Sequence, residues 1–266
     1  MIARVLTIAG SDSSGGAGIE ADLKTITALG GYGSTCITGL TAQNTLGVQG
    51  VHPVPASFVA RCMRAVISDI GVDAIKLGML TNAEIVSAVA ANLPTGVPVI
   101  LDPVMISTSG SALLPDAAIA VLIKKLLPQA SLITPNLPET AKLTGMPVKT
   151  QAQCLAAGQR LLAMGAQAAL IKGGHGHKAM LTDLLITPQQ VFTITLPRLE
   201  TRHTHGTGCT LSAAIATFLA QAMPLEAAVR HARAYLQDAI ATAPNLGAGH
   251  GPVNHLVHIG SRRPAV

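Results

Sequence analysis

Short apolar runs alternate along the chain with stretches whose apolar residues recur every three to four positions. The runs at 5–9, 35–40, 74–77, 97–101, 132–134 and 168–171 are rich in Val, Ile, Leu and Ala and read as strands. Between them, Leu23, Ile26 and Leu29 within 17–29, and then Phe58, Cys62, Val66 and Ile70, step at helical spacing. Residues 82–92, 116–127 and 151–164 carry similar apolar faces. Such alternation predicts a parallel sheet covered by helices on both sides, and near-continuous apolar strands such as 97–101 suit burial on both faces.

The pattern changes after Lys172. Residues 179–186 and 191–196 look like neighbouring strands joined by Thr187-Pro188-Gln189-Gln190, which predicts an antiparallel hairpin at a sheet edge. Two long helices are then expected at 207–222 and 225–242. With no internal repeat, low-complexity linker or break in composition, the expectation is one α/β domain over 1–266, a three-layer α/β/α arrangement with a mainly parallel central sheet.

Composition agrees with a compact globule: 49% of the 266 residues are hydrophobic and only 12% are charged. The mean hydropathy is positive, but Gly, Pro or a charge interrupts each apolar stretch before the roughly 18 to 20 residues that a membrane-spanning helix needs. The start of the chain reads as a strand running into Gly10-Ser11-Asp12-Ser13-Ser14-Gly15-Gly16 rather than as a secretory leader. Cys36, Cys62, Cys154 and Cys209 show no metal-binding spacing, so the cytoplasm is the expected compartment. A net charge of +5 suits anionic substrates. Scattered cations, 2% aromatic residues and the lone Arg262-Arg263 pair predict no nucleic-acid partner.

In parallel α/β sheets ligands bind beyond the carboxyl ends of the strands. Gly10 to Gly18, Gln43-Asn44, Gly78-Met79, Asp102-Pro103, Asn136 with Glu139, and Lys172-Gly173-Gly174 all fall at such positions and could ring one cleft. Gly206-Thr207-Gly208-Cys209 opens a helix, where converging backbone N–H groups and the helix dipole form an anion site and the glycines permit close approach. Taken alone, that turn reads equally as an ordinary helix cap. Neither GxxxxGK[ST] nor a GxGxxG between strand and helix is present, which disfavours Walker ATPases and dinucleotide enzymes. The pairs His175/His177 and His203/His205 lack a third ligand at a usual spacing and read as loop and strand histidines.

Several stretches, in order, carry a resemblance: Ala9-Gly10-Ser11-Asp12-Ser13-Ser14-Gly15-Gly16-Ala17-Gly18 with Ala21-Asp22-Leu23-Lys24, Leu40-Thr41-Ala42-Gln43-Asn44-Thr45, Lys76-Leu77-Gly78-Met79-Leu80, Leu101-Asp102-Pro103-Val104-Met105, Thr134-Pro135-Asn136-Leu137-Pro138-Glu139, Ile171-Lys172-Gly173-Gly174-His175, and Thr204-His205-Gly206-Thr207-Gly208-Cys209-Thr210. With Gly249-His250-Gly251-Pro252 near the end, they resemble the ribokinase-like family, and within it the hydroxymethylpyrimidine and phosphomethylpyrimidine kinases of thiamine biosynthesis. The likeness covers nearly the whole chain.

The resemblance implies a ribokinase-like fold, ATP and Mg²⁺ as cofactors, a homodimer, and two phosphorylations: 4-amino-5-hydroxymethyl-2-methylpyrimidine to its monophosphate, then to the diphosphate. It places Cys209 as the base beside the substrate hydroxyl, with Gly206, Thr207 and Gly208 around the transferring phosphate. A thiol at a helix N-terminus is expected to have its pKa lowered toward neutrality. Gln43 is implied at the aminopyrimidine, which suits a carboxamide that donates and accepts at once. Gly10, Asp22 and Met79 are implied as further pocket residues, although an exposed helix face for Asp22 and a core position for Met79 remain open. Asp102 and Glu139 resemble the magnesium side and Asn136, Glu139 and Lys172 the ATP side, a hard cation preferring oxygen ligands. Glu139 reads equally as a helix cap, and Lys172, a lone ammonium ending an apolar strand, calls for an anion such as an ATP phosphate.

Two departures from the family pattern stand out. Ile106-Ser107-Thr108-Ser109-Gly110-Ser111, a natural lid, has no cation where relatives carry a lysine, which weakens the expected grip on a bound monophosphate. Glu20 replaces a frequent Gln and is expected to be peripheral. A pyridoxine or pyridoxal kinase and a catalytically silent pyrimidine-binding protein are the competing readings.

Overall fold

The computed structural model describes residues 1–107, 110, 112–173 and 179–257. One nine-stranded sheet, in the order β3-β2-β1-β4-β5-β6-β7-β8-β9, forms its centre. Strands β1 (Arg4–Asp12), β2 (Tyr32–Asn44), β4 (Ala74–Leu77), β5 (Val99–Leu101), β6 (Leu132–Ile133) and β7 (Ala169–Ile171) pair in parallel. The expected hairpin is present as β8 (Met180–Ile186) and β9 (Val191–Pro197), antiparallel at one edge.

Helices cover both faces. Helices α2 (Ala56–Asp69), α3 (Ala83–Asn92), α4 (Asp116–Lys125), α5 (Leu137–Thr144) and α6 (Gln151–Ala163) contribute Met63, Ile85, Leu122, Leu143 and Leu161 to one apolar layer against Leu6, Ile8, Leu77 and Leu101. Helices α1 (Gly18–Ala28), α7 (Thr207–Ala220) and α8 (Leu225–Ala241) pack Ile26, Leu211, Ile215 and Leu236 against the opposite face, where Val5, Ile100 and Leu170 point. This is the predicted three-layer α/β/α arrangement. The strand side chains alternate between two buried layers, so both faces are apolar.

Three elements differ from the sequence expectation. Strand β2 runs on to Asn44 and pairs antiparallel with β3 (Gly47–Pro53), a second antiparallel edge that the pattern did not suggest. Most of β3 is exposed, so burial imposes no alternation on its residues. The segment 116–127 divides into α4 and a short 3₁₀ turn at Leu127–Gln129, where Pro128 cannot continue the helical hydrogen bonding. None of the described helices is long and apolar enough to cross a membrane.

Candidate active site

A cavity of about 820 Å³ opens along the carboxyl edge of the parallel strands. Gly10, Gln43, Met79, Asp102, Asn136, Glu139, Lys172, Gly206, Thr207, Gly208 and Cys209 all line it. Asp22 does not. It lies beneath the cavity wall, fully buried, where Lys76 Nζ donates to both carboxylate oxygens at 2.9 and 2.8 Å and Thr7 Oγ1 donates at 2.5 Å. The exposed helix face left open for Asp22 is therefore excluded, and its side chain does not line the cavity. Burial alone would lower the Lys76 pKa, but Asp22 outweighs it and raises it, keeping the ammonium charged.

The turn before α7 is shaped by close backbone approach. Gly206 is the N-cap with φ +80°, and a β-carbon there would overlap the Gly16 carbonyl oxygen. No side chain caps α7: the Thr207 N–H donates to the Thr204 carbonyl at 3.3 Å, while Gly208 and Cys209, next in the first turn, line the cavity. Cys209 sits partly exposed at the cavity wall. Its thiol departs from expectation: burial pushes the pKa up to about 11, and Lys76 and the Gly18 N–H only partly oppose it. A helix N-terminus lowers a thiol pKa only where desolvation does not dominate.

Beside this turn, Lys172 Nζ donates to Asp102 Oδ1 at 3.1 Å. Burial works against the Lys172 ammonium, but Asp102 and Glu139 outweigh it and raise its pKa. Its partner here is thus a carboxylate. Asn136 and Glu139 form a capping box on α5, with Asn136 Oδ1 accepting from the Glu139 N–H and Glu139 Oε2 accepting from the Asn136 N–H, both at 2.8 Å. Glu139 is therefore a cap as well as a cavity residue, and burial pushes its carboxyl up to about 7, partly offset by Lys172. The missing β-carbon of Gly208 leaves a cradle: an atom there would lie 3.4 Å from both Asp102 Oδ2 and Lys172 Nζ. Two buried carboxylates, an ammonium and that cradle fit phosphate oxygens and a hydrated divalent cation.

Further residues without an assigned catalytic or binding role also shape this site. His205 Nε2 lies 2.7 Å from Asp12 Oδ2, and both side chains are buried in the cavity wall. Asp12 also accepts from the Ser14, Gly16 and Ala17 N–H groups, closing the loop after β1. Glu20 is not peripheral: it accepts from Ser11 Oγ at 2.6 Å and from the Asp12 N–H at 2.7 Å, bracing that loop. Arg233 on α8 pairs with Asp183 at 2.8 Å, and Asp183 in turn accepts from the Gly173 N–H beside Lys172. A lysine among apolar strand residues, such as Lys76, signals a buried carboxylate by the same argument that applied to Lys172. His175, His177, the lid positions Thr108, Ser109 and Ser111, and Arg262-Arg263 lie outside the described residues.

Residues 12–254 match the family described as phosphomethylpyrimidine kinase. The chain belongs to that family. Among phosphomethylpyrimidine kinase relatives, it is 49% identical to the hydroxymethylpyrimidine/phosphomethylpyrimidine kinase of Rhizobium meliloti, covering 96% of this chain and 97% of the relative. It is also 49% identical to the thiamine biosynthesis bifunctional protein of Geobacter sulfurreducens, and there it spans 95% of its own length but only 52% of the larger protein. An ADP complex of Bacillus subtilis pyridoxal kinase superposes with a TM-score of 0.89 at 34% identity, over 96% of this chain and 98% of that one. The chain thus shares its fold with pyridoxal kinase.

Proposed function

We infer that this chain transfers the γ-phosphoryl group of ATP to the hydroxymethyl group of 4-amino-5-hydroxymethyl-2-methylpyrimidine, and then a second one to the resulting monophosphate, as a soluble homodimer in the cytoplasm. The observation that carries this reading is the N-terminus of α7, which no side chain caps, opening on the same cavity as Gln43, Cys209 and the Lys172–Asp102 pair. Phosphoryl transfer needs positioned donors around a phosphate and an acceptor held in line, with little covalent chemistry from the protein. The N–H groups of α7 and the Lys172 ammonium supply the donors. Gln43 offers an amide to the ring edge, and Cys209 stands where an alcohol proton must go. Asp102 and Glu139 would hold Mg²⁺ directly or through water, and the bound ion would neutralise phosphate charge.

With a thiol pKa of about 11, Cys209 rests protonated at neutral pH. Its work as a base is therefore confined to the small thiolate fraction and to the first step, since the monophosphate acceptor is already an anion. Lys142 and Arg198 also line the cavity and offer cationic partners for that monophosphate in place of a lid lysine, whereas Arg233, which lines it too, is taken up by Asp183. The test is ADP release with the pyrimidine alcohol, its monophosphate and pyridoxine as acceptors.

The pyridoxal kinase reading is favoured by the 34% identity and close superposition on the Bacillus subtilis enzyme. A kcat/KM for pyridoxine above that for the pyrimidine alcohol would establish it.

A further inference from the structure

Gln43 lies between two polar neighbours that restrict how its amide can point. One end, placed as Nε2, is 3.3 Å from His205 Nε2, and the other, placed as Oε1, is 3.2 Å from Thr41 Oγ1. His205 Nε2 is also 2.7 Å from Asp12 Oδ2. Burial opposes ionisation of Asp12, but His205 and Ser14 hold its carboxyl down to about 2, so it accepts only. His205 Nε2 must then carry its proton and donate to Asp12, and an N–H of Gln43 aimed at the same nitrogen has no lone pair to meet. Thr41 raises a second conflict. Its single hydroxyl proton has two acceptors, the Ser11 carbonyl at 3.0 Å and the Gln43 oxygen at 3.2 Å.

Turning the amide by 180° removes the donor-against-donor contact at His205, the more costly of the two, and moves the shared proton from Thr41 to His205. The Gln43 oxygen then accepts from His205 Nε2–H, shared with Asp12, and a Gln43 N–H donates to Thr41 Oγ1, whose own proton goes to Ser11. No donor then faces a donor, and the second Gln43 N–H is left for the ligand.

We propose that the Asp12–His205 pair is a specificity-determining device: by donating from Nε2 it fixes the polarity of the Gln43 amide, leaving one lone pair and one N–H in a set order for the ligand. The proposal rests on Gln43 reading the aminopyrimidine edge. An amino group beside a ring nitrogen offers one donor and one acceptor, and only the matching amide order pairs with both. An inverted order puts donor against donor and acceptor against acceptor. His205 is thus a positioning residue that acts through Gln43. Its ring is also wedged in place, since a β-carbon on Gly16 would come within 2.5 Å of His205 Cδ2, and its backbone N–H donates to the Gly251 carbonyl at 3.1 Å.

Two measurements test it. In the ¹⁵N-labelled wild-type protein, long-range ¹H–¹⁵N correlations should show His205 Nε2 protonated, the signal being assigned by its loss in His205→Phe. An unprotonated Nε2 overturns the assignment. The second measurement is the kcat/KM preference for 4-amino-5-hydroxymethyl-2-methylpyrimidine over its analogue lacking the 4-amino group. His205→Phe, which keeps a ring but no donor, should reduce that preference by about tenfold or more, chiefly through KM for the amino substrate. Equal losses on both substrates would make His205 a mere anchor and contradict the proposal. Gln43→Met should abolish the preference, with no further change in the double variant. If Gln43→Met leaves the preference intact, the recognition reading itself fails and the specificity role falls with it, whereas the Nε2 signal still decides the pairing.

Discussion

Lys76 Nζ lies 2.8 Å from Asp22 Oδ2, and neither side chain reaches solvent. The pair joins β4 to α1, and its cation acts on the Cys209 thiol from inside the protein. Removing one member strands a buried charge, so Lys76→Met should destabilise the fold by about 3–5 kcal/mol. The double change Lys76→Met/Asp22→Leu should recover most of that loss. Urea denaturation checks this, and equal losses in the single and double variants would contradict it.

A thiol whose pKa is pushed up to about 11 accepts a proton only after losing its own. The rate of the first phosphorylation should therefore climb with pH between 7 and 9, by about tenfold per unit if the thiolate is the sole base. Cys209→Ala should flatten that climb and slow the first step by about 10²- to 10⁴-fold, while the second step changes far less. Equal loss in both steps would remove Cys209 as the base.

Asp12 makes stability sensitive to acid. Its carboxyl is lowered from an ordinary 3.8 to about 2 in the folded protein. A depressed carboxylate stabilises above its unfolded pKa, and that contribution fades as pH falls from near 4 toward 2. It amounts to about 2 kcal/mol at neutral pH. Asp12→Asn should lose roughly this amount at pH 7 and lose little at pH 2, as read from denaturant midpoints at the two pH values.

Gly206→Val places a side chain at φ +80° and against the Gly16 carbonyl oxygen. Both phosphorylations should fall by at least about 10²-fold, because the displaced N–H groups serve the phosphate in each. Gly30→Ala, also at positive φ but with open space around it, is the control and should cost stability without selective loss of kcat. A Gly206→Val enzyme that keeps either step would contradict the anion-site role.

Much of this was legible in the sequence, and for physical reasons. The buried strands at 74–77 and 97–101 are apolar because both faces are covered, and the cavity residues fall at strand ends because that is where a parallel sheet leaves an opening. Strand β3 was not legible, since an exposed edge imposes no pattern on Val48 or Val51. The partnership of Asp12 with His205 spans 193 positions, and no local periodicity encodes it. Lys76 was visible as an anomaly in Ala74-Ile75-Lys76-Leu77, but its partner on α1 was not. The Cys209 pKa was misjudged because a sequence shows the helix start and not the depth of burial around it.

The most direct measurement is ADP release by the purified protein with MgATP and each of three acceptors: the pyrimidine alcohol, its monophosphate and pyridoxine. The account predicts turnover with both pyrimidines and a kcat/KM for the pyrimidine alcohol well above that for pyridoxine. Tight binding of the pyrimidine alcohol without ADP release, or a preference for pyridoxine, would contradict it.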